Sequence, residues 1–416
     1  MGVINAHDIK PGMVLEKDLI LSNGRRLLPR GAVIEEKHLR IFKAWGVTEA
    51  AIANVSREAA ESDALSTLEP LALQYAASLC ELYFPVHVEE QPALQEIKRL
   101  TVLTIARRIM LGENPPRPAV VCTDDGPAEL HPGETDPRHV AASQVELASF
   151  PEICQLIREV ANDPRASSTR LAEIISRDTS LCANLLRLVN SPLYGFPNKV
   201  DSIPRAVTLI GTRELCTLTY GVVAVRFFRG IPSTYLDMLR FWKHAAACGV
   251  FARILASFIG GMDEERAFVA GLLHDIGRLV LVSKYPVASA RALAKAQSQN
   301  LPLHETELEI FGFHHARVGS HLLKAWHFPD SLRDMVSFHH EPLKAHTVQE
   351  AAMLHLADVL SVSMDLATGG APRPVPQLEP GAWEAVGLPI SVLEAAYGQF
   401  DRQFKEVLSV LMNNEA

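Results

Sequence analysis

The sequence predicts a mostly α-helical protein with a small α/β unit at its N-terminus. Three observations lead there. From Ser143 to about Leu366, apolar residues recur at the i, i+3, i+4 and i+7 positions of helices, and strand-like alternation is nearly absent. Strand and hairpin signals are confined to roughly the first 55 residues. Hydrophobic residues make up 48% of the 416-residue chain and charged residues 21%, which allows a sizeable core and excludes wholesale disorder.

The elements follow in order. Met13–Leu21 and Arg25–Leu28 flank Asn23-Gly24, a two-residue hairpin signal, and Ala32–Ile34 can add a third short strand. Leu39, Phe42 and Trp45 have helical spacing over Glu35–Trp45, with Gly46 as the stop, and Val47–Val55 can return as a strand. Residues 63–111 read as two amphipathic helices broken near Pro85. Gly112–Arg138 carries prolines at 115, 116, 118, 127, 132 and 137 and cannot sustain a helix. Ser149-Phe-Pro-Glu152 has capping-box form and opens a body of roughly ten helices. Residues 369–381 are again rich in Pro and Gly, and 389–412 make a last helix. The expected units are 1–60 (α/β), 61–111 (helical hairpin), 112–142 (linker), 143–366 (all-α domain) and 367–416 (C-terminal linker and helix).

Composition narrows the function classes. Forty basic residues against 48 acidic ones give a formal charge of −8, which does not favour nucleic acid as the main partner. Six cysteines stand far apart with no CxxC, so reduced thiols in a cytoplasm are the simpler expectation. The start, MGVINAHDIKPG, lacks the charged-then-apolar form of a signal peptide. The apolar stretches Val207–Phe228 and Ala245–Met262 are interrupted by charges, so neither reads as a membrane span.

Five helical segments place His or Asp on an apolar stripe. His244 aligns with Ala247, Phe251 and Leu255, and His274 with Ala267, Ala270, Gly271 and Leu281. His315 aligns with Val318, Gly319 and Leu322, His339 with Leu332, Met335 and Val336, and Asp358 with Ala351, Leu354, His355 and Val362. The run Phe268–Val282 is apolar nearly all round and reads as one buried helix with His274, Asp275 and Arg278 in its middle. Such groups are expensive to bury unpaired, by several kcal/mol. A divalent cation ringed by the other histidines and Asp358 would supply the partner. Neutral imidazoles and carboxylates suit Zn, Fe, Mn or Ni. Taken singly, each histidine is more simply a hydrogen-bonded core residue. His304, His314, His321, His327 and His346 fit no inward pattern and read as surface or packing residues.

On these residues the region from about 145 to 345 resembles an HDOD domain, the HD-related output domain of bacterial signalling proteins. The resemblance rests on Ser149-Phe-Pro-Glu152, Asn190-Ser-Pro-Leu-Tyr-Gly195, Ala206-Val-Thr-Leu-Ile-Gly211 and Phe241-Trp-Lys-His244. It continues through Gly271-Leu-Leu-His-Asp-Ile-Gly277, His315-Ala-Arg-Val-Gly319 and His339-His-Glu-Pro342. Residues 1–111 are similar to the small module that precedes the catalytic domain in some HD-GYP phosphodiesterases, through Ile9-Lys-Pro-Gly-Met-Val-Leu15, Asn23-Gly24 and Leu28-Pro-Arg-Gly31.

The HDOD resemblance implies an all-helical HD/HDOD-type domain. The wider HD superfamily comprises metal-dependent phosphohydrolases. Its leading His, His-Asp pair and late Asp map onto His244, His274, Asp275 and Asp358, and the further HD-GYP ligands onto His315, His339 and His340. The implied cofactor is one or two divalent transition-metal ions. Arg278 stands where HD-GYP enzymes usually carry Lys and could clasp a phosphate bidentately. After His339-His340-Glu341 the chain continues Pro342-Leu-Lys-Ala-His, so the Gly-Tyr-Pro signature is missing. HDOD domains are generally regarded as output or adaptor modules.

The expectation is therefore a regulatory HDOD protein with the metal site retained. The alternative is a metal-dependent phosphohydrolase acting on a nucleotide or cyclic dinucleotide. A signalling protein or a small nucleotide is the expected partner. Oligomeric state stays open, a homodimer among the options.

Overall fold

The structure is a computed structural model that describes residues 2–5, 9–20, 26–44, 47, 49–53, 69–85, 88–112, 136–147, 152–162, 168–228, 236–367 and 373–412. The Asn23-Gly24 turn, most of the Pro-rich linker and the Ser149-Phe150-Pro151 start lie outside them. Helices dominate, with four short strands among the described residues, all near the N-terminus.

In the N-terminal unit, β1 (Gly2–Asn5) pairs antiparallel with β4 (Glu49–Ile52), and β2 (Leu19–Ile20) with β3 (Arg26–Leu28). Single bridges tie Val14 to Val33 and Leu15 to Ile52. Helix α1 (Glu36–Ala44) supplies Phe42 to a core of its own with Ile9, Leu15, Leu19, Ile34, Ala50 and Ile52. The expected long first strand, Met13–Leu21, is thus a bridge at Val14 and Leu15 followed by a two-residue strand.

The second, larger core begins with the hairpin of α2 (Pro70–Tyr83) and α3 (Pro92–Met110). It continues through α4 (Pro137–Leu147), α5 (Glu152–Asn162), α6 (Ser168–Ser176), α7 (Thr179–Val189), α8 (Ile203–Ile210) and α9 (Thr212–Phe227). The central helices are α10 (Met238–Ser257), α11 (Glu264–Leu273) and α12 (Ile276–Lys284). Then follow α13 (Pro286–Gln299), α14 (Leu303–Phe311), α15 (His315–Ala325), α16 (Asp330–Phe338) and α17 (Val348–Ala367). The short α18 (Ala382–Val386) and α19 (Ser391–Met412) close the chain. No helix among the described residues is long and apolar enough to cross a membrane.

Two features position the site. The first is a glycine seam between α10 and α11. A Cβ on Gly271 would lie 2.6 Å from the Gly249 Cα, and one on Gly249 would lie 2.8 Å from the Phe268 carbonyl oxygen. Side chains at the crossing would hold the helices apart, and the missing ones let the backbones meet. Asp237 and Asp263 start these helices by accepting the Arg240 and Arg266 backbone N–H at 3.1 and 2.9 Å.

The second is the clamp on α17. The hairpin is not set apart from the helical body: α3 packs against α17 and α19. Tyr397 of α19 links Thr101 of α3 (3.0 Å) to Ser363 of α17 (2.7 Å) in a buried row of hydroxyls. Farther along, Asn190 ends α7 and pins the turn that follows. Its side chain bonds Val200 through both the backbone N–H and the carbonyl, each at 2.7 Å.

Candidate metal centre

The run Phe268–Val282 is not one helix. It breaks at His274-Asp275, with Asp275 at φ −94, ψ 5, between α11 and α12. Hydrophobicity all round carries no helical phase, so the sequence pattern could not show the break. Its consequence is chemical. Neighbours on a continuous helix point about 100° apart, whereas here His274 and Asp275 reach the same cluster: their Nε2 and Oδ1 are 3.6 Å apart.

Four further segments bring ligands to that point. His244 comes from α10, with its Nε2 3.2 Å from the His274 Nε2 and 3.1 Å from Asp358 Oδ1 of α17. His315 opens α15, with its Nε2 2.9 Å from Asp275 Oδ1 and 3.0 Å from the His340 Nε2. His339 and His340 follow the last turn of α16. Three groups of donor atoms lie close enough to share an ion: His244, His274 and Asp275; His274, His339 and Asp358; and His315, His339 and His340. All seven residues expected from the sequence meet in one buried region.

The hydrogen bonds say which ring nitrogens face inward. His274 Nδ1 donates to the Gly271 carbonyl at 2.7 Å, and His339 Nδ1 to the Val336 carbonyl at 2.8 Å. His315 Nδ1 donates to Glu307 Oε2 at 2.5 Å. Ser361 donates to the Asp358 carbonyl (2.8 Å) and is set to accept from His244 Nδ1 at 3.0 Å. With Nδ1 engaged in this way, the Nε2 of each of these four rings faces the cluster, free to bind an ion once its proton is displaced. The His244 and His274 Nε2 atoms lie 3.2 Å apart and those of His315 and His340 3.0 Å; a proton joins each pair as a hydrogen bond, and a cation could take that proton's place. The His339 Nε2 is buried with no hydrogen-bond partner at all. An orphaned buried acceptor of this kind fits a metal ion.

The charge balance points the same way. Burial opposes a charge on His315, but Glu307 and Asp275 overrule it and hold its pKa up at about 9. Burial likewise opposes His274, while Cys248, Asp275 and Asp358 keep it well above the ordinary value. His339 and His340 are pushed well below theirs by burial and by neighbouring histidines. Burial would raise Asp275, yet His274, Arg278 and His315 hold it well below the usual carboxylate range. The cluster thus draws positive charge to two places, at His274 and at His315.

Several residues here escaped the sequence pattern. Glu307, on α14, accepts both the backbone N–H (2.9 Å) and the Nδ1 of His315, so it caps α15 and aims the ring at once. Its signal was present: it shares a stripe with Leu303, Ile310 and Phe311. His304 and His314 take the packing role, one of the two the sequence left open, His304 half-buried and His314 buried. His304 stacks on His340 with ring centroids 4.0 Å apart, and His314 is buried 5.8 Å from the same ring. His355 braces the site without pointing into it. Its Nδ1 donates to the His339 carbonyl (2.7 Å) and its Nε2 accepts the Glu379 N–H (3.0 Å). Cys216 is an inert thiol, pushed up to about 12 by burial.

Glu307→Gln keeps the shape and removes the charge behind His315. It is expected to weaken metal affinity by about 10- to 100-fold, read by competition with a chromophoric chelator. An unchanged affinity would mean that Glu307 serves only as a helix cap.

A cavity of about 320 Å³ opens over the cluster. Asp275, His315, His340 and Asp358 reach its wall, with Arg240, Arg278 and Arg373 around them. Arg278 Nη1 donates to Asp275 Oδ2 at 2.6 Å, and its guanidinium carbon lies 5.9 Å from the centre of the Phe241 ring.

A helical body closing His and Asp side chains from separate segments around one buried point is the arrangement of an HD-type domain. Residues 147–342 match the family model of the HDOD domain, and the chain carries an HDOD domain there. A 196-residue stretch is 29% identical to an uncharacterised protein of Treponema pallidum (strain Nichols), covering 47% of this chain and 38% of that protein. The likeness thus spans well under half of that relative's length.

Among solved structures, an HDOD domain protein of unknown function from Geobacter sulfurreducens is 21% identical, with a TM-score of 0.52 over 66% of this chain and 97% of that one. A protein of Shewanella amazonensis SB2B, provisionally named a phosphohydrolase, is 24% identical, with a TM-score of 0.51 over 64% and 98% of the two chains. One of Marinobacter aquaeolei VT8, provisionally named a signal-transduction protein, is 22% identical, with a TM-score of 0.53 over 67% and 65%. At these identities the likeness is one of fold.

Proposed function

We propose that this is a bacterial signal-transduction protein whose HDOD domain retains an HD-type divalent metal centre and uses it to hold a phosphorylated small molecule, a nucleotide by class. The observation that carries this reading is the unpartnered, buried Nε2 of His339 in a ring of inward-facing imidazoles and carboxylates. His244, His274, Asp275 and Asp358 would hold one ion and His315, His339 and His340 a second. Manganese, iron, zinc and nickel suit such donors. When bound, the ions would supply Lewis-acid polarisation of a phosphoryl oxygen. The chain's own part is to orient the imidazoles through Glu307, Ser361 and two backbone carbonyls, and to meet the ligand's charge with Arg278.

In this reading the N-terminal unit of about residues 1–60 receives the input, and the helical body acts on a protein partner or on a second copy of the chain. The free thiols suit the cytoplasm. A second reading, hydrolysis of a phosphate ester, is favoured by one observation: Asp275, His315, His340 and Asp358 open onto the cavity rather than being sealed below it.

The test is elemental analysis of the purified chain, alone and after reconstitution, beside Asp275→Asn and Asp275→Ala. The unmodified chain is expected to hold one to two ions. Asp275→Asn is expected to lose most of them and stay folded. Asp275→Ala is expected to be less stable by about 3 kcal/mol as well, because Arg278 keeps a buried charge with no partner. Equal metal content in all three would sink the reading. Turnover of bis(p-nitrophenyl) phosphate by the loaded chain, lost in Asp275→Asn, separates the second reading from the first.

A further inference from the structure

The cavity gathers three arginines, of which Arg278 is paired with Asp275 of the donor set. Arg240 comes from the first turn of α10, Arg278 from α12, and Arg373 from residues 373–379, a strap with no helix or strand of its own. Three hydrogen bonds hold the strap. The Val375 N–H donates to the Tyr83 carbonyl (2.7 Å), Gln91 Nε2 donates to the Leu378 carbonyl (2.9 Å), and the Glu379 N–H donates to His355 (3.0 Å). The first two partners belong to the α2–α3 hairpin; the third braces His339.

Arg373 reaches Asp365 only at 3.7 Å, and its Nη2 is buried without a hydrogen-bond partner. Arg240 lies close enough to feel Arg373 and Arg278 as like charges: burial first, and then these two, pull its pKa down against Asp365 and Asp237. Like charges converging on one cleft are unfavourable unless an anion joins them. Four aspartates also line the cavity, but a divalent ion bound to Asp275 and Asp358 would leave the lining net cationic. Most of the remaining wall is apolar, with Leu293, Leu301, Pro302, Pro374 and Pro376 beside Phe241, broken by Gln297 and His304.

We propose that Arg240, Arg278 and Arg373 form a clamp on the phosphate of an ester whose organic part lies against the apolar wall, and that the α2–α3 hairpin sets the clamp by fixing the strap that delivers Arg373. This rests on the reading of the centre as a metal-loaded site for a phosphorylated molecule, and it names what grips that molecule. Guanidinium forks match phosphate oxygens in pairs, which a lysine cannot reproduce. Gln91 touches no ligand; it is a positioning residue acting through the strap.

The test is titration calorimetry of the full chain, as purified and after manganese loading, with inorganic phosphate and phenyl phosphate as probes. Phenyl phosphate is expected to bind more tightly than phosphate. Arg373→Ala and Arg240→Ala are each expected to weaken both probes by about 10-fold or more, with metal content unchanged. Arg373→Lys should recover only part of the loss, and Gln91→Ala should weaken binding by about 3-fold through the lost strap contact. Arg373 is 31% exposed, so these variants should fold.

If the arginine variants bind both probes as the unmodified chain does, the clamp is overturned and the metal reading stands. If the chain takes up no manganese, yet binds phosphate and loses it in Arg373→Ala, the clamp stands and the metal reading falls. An unmodified chain that binds neither probe overturns the clamp whatever its metal content.

Discussion

Gly277→Ala is expected to cost about 3 kcal/mol of stability and to separate the two halves of the histidine cluster. A Cβ at this position would run into the His315 carbonyl oxygen and stand 2.6 Å from the Gly319 backbone nitrogen. Both obstacles are main chain, so no side chain can swing aside. Alanine's better helix propensity returns only about 1 kcal/mol. The remaining relief is for α12 and α15 to move apart, which carries His315 away from Asp275, now 2.9 Å from it. Denaturant unfolding reads the first effect and metal stoichiometry the second, with an expected fall toward a single ion. A variant as stable as the parent chain, holding the same metal, would show that the α12–α15 contact is softer than its distances imply.

Withdrawing the metal is expected to destabilise the protein by about 4 kcal/mol when the ion had been present at roughly a thousand times its dissociation constant. The size of the loss should depend on pH. In the metal-free chain His315 is raised from 6.5 to about 9. A raised folded-state pKa gives stability that is fully present below the unfolded value and is lost as pH climbs through the folded one. For His315 that is on the order of 3 kcal/mol, fading between about pH 6.5 and 9. The ion competes with the same proton, so metal affinity should rise over that window. His339 and His340, held below the ordinary value, offer no such competition there. Calorimetric melts of chelated and manganese-loaded protein at pH 6.5, 7.5 and 9 should therefore show a widening gap. Superimposable melts at all three would rule out a cation at this centre.

Much of this was legible in the residues themselves. His274, Asp275 and Arg278 stood out because ionisable groups inside an apolar run need partners, and they have them. His244, His315, His339 and Asp358 each lay on the apolar stripe of a separate helix, and the fold brings those stripes to one point. Three things were not legible. The break at His274-Asp275 was hidden because an all-apolar helix has no polar face to mark a change of direction. His314 precedes α15 in extended backbone (φ −115, ψ 166), so helical periodicity says nothing of where it points. Arg240 and Arg373 lie in stretches whose pattern is that of ordinary solvated charge, and only tertiary structure turns them toward a cavity. The hairpin looked separable because a long linker follows it, yet Ala76, Ile97 and Ile105 are buried in the same core as α17.

That shared core bears on any attempt to study the domain by itself. A fragment cut at residues 147 and 342 would end before α17 begins. It would leave behind Asp358, the serine that orients His244, the imidazole that steadies His339, and the whole segment bearing Arg373. Such a piece would be short of a carboxylate donor and roofless on one side, and its failure to load metal would say nothing about the intact chain. The working unit of this protein is larger than the stretch by which its family is recognised.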